Sequence, residues 1–151
     1  MKPNLKSQLY ILCQQFVEQR IANAREAIKN ATDSANDDTK SSAGDKHETG
    51  RAMAHLEQEK GVTQLNEAIE LQSVLQKINP EIISNTIQVG SVVITDKGNF
   101  YICIPAGKIE VDNQVYFAIS IGSPIGMKIK KLSKKDQFEF NSSVYNIIDV
   151  L

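Results

Sequence analysis

The sequence predicts an α+β protein: an N-terminal antiparallel α-helical coiled-coil hairpin, then a small antiparallel β domain with one short helix. Two observations predict it. Apolar residues recur at helical spacing through the first half, on either side of a polar interruption. After Asn79-Pro80 the period changes to short β-rich runs separated by turn formers.

The first helix is expected from about Lys6 to Ala31, a stretch without Gly or Pro. Leu5, Leu9, Leu12 and Phe16 begin an apolar stripe that Val17, Ile21, Ala24, Ile28 and Ala31 continue. Its distal part is rich in Ala, and small residues let two helices approach closely. The segment Asp33 to Gly44 has almost no apolar content and reads as a loop. Helical signal returns near Glu48 and runs to about Ile78, where Met53, Leu56, Val62, Leu65, Ile69, Leu75 and Ile78 can share a broad face. Gly61 is a weak point, costing about 1 kcal/mol relative to Ala. Proline disfavours helix in the residue before it, so Asn79-Pro80 ends the second helix. Each helix has roughly 28 to 31 residues, and at about 1.5 Å per residue the hairpin reaches on the order of 45 Å.

The domain boundary falls at residues 79 and 80, with the hairpin before it and an acidic loop at 33–48. Strands are expected at 91–95, 100–104, 115–120, 138–140 and 145–150, with a short helix at about Ile125 to Leu132. They make one small antiparallel sheet or a partial barrel.

Composition limits the function. The 151 residues are 41% hydrophobic and 23% charged, with a formal net charge of -1. That is the balance of a soluble globular protein, not of a strongly basic nucleic-acid binder. Cys13 and Cys103 form no CxxC, so they are expected to be buried thiols rather than a zinc or redox motif. No signal-peptide core or membrane-length apolar run is present, which places the chain in the cytoplasm without membrane attachment.

The segment that carries most chemistry is Gly44-Asp45-Lys46-His47-Glu48. Acids three residues apart before a helix form a capping box, in which Asp45 accepts from the Glu48 N–H and Glu48 reaches back. Alternatively both carboxylates project from the loop and help to hold a divalent cation. Hard cations such as Mg²⁺ take oxygen ligands, and two acids can complete a site whose other ligands lie on a partner. His47 and His55 are eight residues apart, the wrong spacing for a helical metal pair, and read as surface. Two basic groups, Lys128 to Lys135 and Arg20, Arg25 and Lys29, are either solvated faces or charge contacts with polymer partners.

Gly44-Asp45-Lys46-His47-Glu48-Thr49 resembles the tip motif Gly-Asp-Leu-Ser-Glu-Asn of the GreA/GreB family of transcription elongation factors, where it lies between two long helices. Ser120-Ile121-Gly122-Ser123-Pro124-Ile125-Gly126 is similar to that family's Ser-Pro-Leu-Gly turn, and Val89-Gly90-Ser91 and Phe138 to Ile148 also fit. The stretch Lys131 to Asp136 stands where the family has Gly-Lys-Lys-Val-Gly-Asp, without its glycines. Lys46, Thr49, Arg51 and Ala52 replace the family's Leu, Asn, acid and aromatic. The resemblance covers essentially the whole chain. It implies an FKBP-like second domain that docks on RNA polymerase, through Ser123, Pro124, Gly126, Lys128, Lys130 and Lys131. It also implies a monomeric factor whose hairpin enters the secondary channel, near the 3′ end of nascent RNA. There Asp45 and Glu48 would assist a Mg²⁺ shared with the polymerase, whose own nuclease activity cleaves backtracked RNA. The chain would then be no enzyme by itself and have no cofactor of its own. Rival readings are a non-cleaving channel regulator, a peptidyl-prolyl isomerase and a structural coiled-coil dimer.

Overall fold

Small residues, not large ones, set where the two long helices meet. In the computed structural model, which describes residues 4–38 and 44–151, α1 spans Leu5–Asp38 and α2 spans Gly44–Gln76. The side chains of residues 37–38 and 44–47 lie outside the described set. On α1 the buried residues are Lys6, Leu9, Cys13, Val17, Ala24 and Ala31; on α2, among the described side chains, they are Ala54, Gly61, Ala68 and Leu75. The contacts run in opposite chain directions: Tyr10 Oη donates to the Leu75 carbonyl, Gly61 faces Ile28, and Gln58 Nε2 donates to Thr32 Oγ1. A Cβ added at Gly61 would lie 2.7 Å from Ile28 Cγ1, so the glycine is a point of close approach.

Two expectations are corrected here. Met53, Leu56, Val62 and Ile69 do not form the buried face of α2; all four are exposed, and Met53 is 63% exposed. The seam passes instead through Ala54, Gly61 and Ala68, spaced at seven residues, because only small side chains fit between backbones this close. The loop expected from Asp33 is helical to Asp38, and α2 is already helical at Gly44. Residues 33–38 contain no Gly or Pro, and a helix of polar residues can extend into solvent once its preceding turns are packed.

The second half forms a six-stranded sheet of β1 (Val92–Thr95), β2 (Gly98–Ile102), β3 (Gly107–Val111), β4 (Gln114–Ile119), β5 (Gln137–Phe140) and β6 (Ser143–Val150), with α3 (Pro124–Ile129) between β4 and β5. The strand order is β3-β4-β2-β1-β6-β5. All neighbours are antiparallel except β2 and β4, which pair in parallel. The sequence reading lacks β3. Its signal is the Asp112-Asn113 turn: both residues have positive φ, 51° and 65°, which matches a two-residue turn joining Val111 to its partner Gln114. Asn141-Ser142 repeats that geometry between β5 and β6.

Register sorts the sheet into two faces. Val93, Phe100, Ile102, Ile147 and Val150 share one core with Phe138, Ile87 and Ile129 of α3. On the opposite face the pairing aligns Tyr101 with Val92 and Ala118, and Tyr10 and Cys13 of α1 lie near the Tyr101 hydroxyl. Lys6 Nζ donates to the Ile82 carbonyl, and Cys13 Sγ lies 3.5 Å from Cys103 Sγ.

The chain divides into two compact units, Phe16–Gln72 and Met1–Gln15 with Ser73–Leu151. The ends of both helices therefore cluster with the sheet. This division is distinct from the change of secondary structure at Asn79-Pro80. No described helix is long and apolar enough to cross a membrane.

Candidate functional site

Two segments contain the residues that the sequence singles out, one in each unit. The first is the start of α2. Because the helix has begun at Gly44, Asp45 lies inside it and not in the non-helical N-cap position that a capping box requires. An acid in the first turn is instead favoured by the exposed N–H groups of that turn. The Asp45 side chain falls outside the described residues; Glu48 and Thr49 are exposed. Met53 and Leu56 are exposed in the turns that follow, as is His55. Among the described residues no group of three or more His, Cys, Asp or Glu could hold a metal ion. On α1, Arg25 and Lys29 are exposed, and the Arg20 guanidinium lies 4.6 Å from the centre of the Phe16 ring.

The second segment is the turn into α3 and the loop after it. Ser123 is the N-cap of α3: its Oγ accepts from the Gly126 N–H at 3.0 Å and donates to the Ser120 carbonyl at 2.7 Å. Pro124 takes the first helical position, where its missing N–H costs nothing. A Cβ at Gly126 would collide with the Ser120 and Ile121 carbonyls. These three residues are thus tied together by local geometry: a cap, a helix start and a close backbone approach. α3 brings Ile129 into the core and leaves Met127, Lys128 and Lys130 exposed. Lys128 Nζ donates to the Glu139 carbonyl at 2.8 Å.

The loop that follows is fixed by backbone pairing. The Lys131 N–H donates to the Ile87 carbonyl, and the Ile87 N–H donates to the Leu132 carbonyl. Asp136 accepts from the Ser133 N–H at 2.8 Å, and the Lys135 N–H donates to the Ile147 carbonyl. Lys131 and Lys135 have φ values of 70° and 80°, in the left-handed region. Lys131, Lys134 and Lys135 are all exposed.

The sequence reading missed the contact between Cys13 and Cys103. Both thiols are buried as expected, but separation by 90 residues leaves no local signal of their meeting. It also missed Tyr101, which is fully buried with a hydroxyl that has no hydrogen-bond partner among the described residues. Burial, with the two cysteines and Tyr10 nearby, pushes that hydroxyl well above its ordinary value.

No family model matches this chain, and none of the curated proteins matches it either.

Proposed function

We propose that the chain is a Gre-like, cytoplasmic factor that binds bacterial RNA polymerase and stimulates cleavage of backtracked RNA. In this reading residues 1–79 form a coiled-coil hairpin and residues 80–151 an FKBP-like docking domain. The observation that carries it lies in the loop after α3. The resemblance has glycine at the positions of Lys131 and Lys135, and these two residues adopt φ of 70° and 80°, a conformation that favours glycine. Backbone shape thus agrees with the family pattern where the side chains depart from it. Further support comes from the module order, from the seven-residue spacing of Ala54, Gly61 and Ala68, and from the Ser123 cap with its Pro124 and Gly126.

The roles follow from charge and from position along the elements. Asp45 and Glu48, early in α2, are the acids that would complete a Mg²⁺ site whose remaining ligands belong to the polymerase. That metal would activate water for attack on RNA. Met127, Lys128, Lys130 and Lys131 offer an exposed basic surface with an apolar component for docking.

The test is transcript cleavage on a stalled, backtracked complex of the cognate polymerase. Wild type should shorten the RNA in a Mg²⁺-dependent reaction, and Asp45→Ala/Glu48→Ala should slow it on the order of 10²-fold while binding persists. Binding without shortening would replace this reading by the non-cleaving regulator. No binding would overturn it.

A further inference from the structure

We propose that Cys13 and Cys103 are the two halves of a reversible intramolecular disulfide that fastens the first turns of α1 to the sheet. The geometry is that of a pair. The two sulfurs are 3.5 Å apart and must close to about 2.05 Å to bond. Both thiols are free, and both are buried. One stands on the second to third turn of α1 and the other follows β2 directly, where its N–H donates to the Ile119 carbonyl. The backbone on each side is therefore held by regular structure, and the sulfurs meet without rearrangement of a loop. This inference is independent of the polymerase reading.

The surroundings set the rate. No cation is among the groups that act on Cys103; they are Cys13 and the Ile104 carbonyl, with the Tyr101 phenol nearby. The thiol contact and burial push Cys103 upward from its ordinary value of 9.0, and the neighbouring Tyr101 phenol is also raised. A protonated thiol is a weak nucleophile, so oxidation of the pair is slow. The oxidant is hydrogen peroxide. One thiolate attacks the peroxide, giving a sulfenic acid and, with a proton, one water. The second thiol attacks that sulfur, forms the S–S bond and releases the second water. Two thiols and one peroxide become one disulfide and two waters, and a small dithiol reductant reverses the change by exchange.

The experiment uses the full chain, folded, exposed to graded hydrogen peroxide, then alkylated in denaturant. The expected product is a monomer lighter by two hydrogens, with the Cys13 and Cys103 peptides linked. Its thermal midpoint should rise on the order of 10 °C and return on addition of dithiothreitol. Cys13→Ala and Cys103→Ala should each abolish that rise. Should either variant fold poorly, the wild-type peptide linkage decides alone. The proposal is overturned if the folded chain keeps two alkylatable thiols under peroxide that links the urea-unfolded chain. It is equally overturned by sulfinic acid without a link, or by disulfide found only between chains.

Discussion

The unit Phe16–Gln72 and the unit around the sheet solve the same problem with opposite residues. The helical unit closes its seam with Ala24, Ala31, Ala54, Gly61 and Ala68, while Met53, Leu56, Val62 and Ile69 remain in solvent. The sheet unit instead builds its core from large residues: Tyr101, Ile87, Ile102, Ile104 and Ile129 are almost wholly covered. Volume added to the first unit and volume removed from the second should therefore both be destabilising, for different physical reasons. Removal leaves a cavity; addition forces backbones apart.

The largest effect is expected at Ile129, fully buried in the core under the sheet. Ile129→Ala should cost about 2–5 kcal/mol in urea unfolding, against almost nothing for the exposed Leu56→Ala. Equal costs at both positions would break the comparison. Next is Gly61→Val, which sets a side chain against Ile28 where even a Cβ has only 2.7 Å. Overpacking of this kind costs about 1–3 kcal/mol, and adding Ile28→Ala should recover part of it. A gain in stability from Gly61→Val would mean that helix propensity, not fit, governs the seam.

Lys131→Gly tests the loop after α3 and should stabilise by about 1 kcal/mol, since glycine accepts a φ of 70° without steric strain. The gain is reduced by the extra freedom of glycine in the unfolded chain. The smallest effect concerns pH. Asp96 accepts hydrogen bonds from the Asn146 N–H and Nδ2, and these hold its carboxyl below the ordinary 3.8. A lowered folded value contributes stability above the unfolded value, lost as pH falls through the folded one. Asp96→Asn should remove that acid-side slope in thermal melts taken below pH 5, and the difference from wild type should shrink at the lowest pH.

The sequence revealed elements better than faces. Both helices, five of six strands and α3 were legible because apolar periodicity and turn formers mark them directly. The α2 face was not, since a reading weighted by side-chain size selects Met53 and Leu56 and passes over Ala54, Gly61 and Ala68. β3 escaped because an edge strand with one face in solvent, Gly107-Lys108-Ile109-Glu110-Val111, carries only two large apolar residues. Among the candidate site residues, Ser123, Pro124 and Gly126 were legible as a group since their chemistry is local. The Cys13 and Cys103 contact is set by tertiary packing across 90 residues, which no local pattern encodes.

That separation also has a timetable. The first turns of α1 leave the ribosome long before Cys103 does, and at about 5–20 residues per second the 90-residue separation takes roughly 5–18 s. Throughout that interval Cys13 lacks the sulfur it meets in the finished molecule, where it is fully buried. The first turns of α1 are thus among the last of the described elements to find their partners, and a truncation before Cys103 would leave Cys13 without its own.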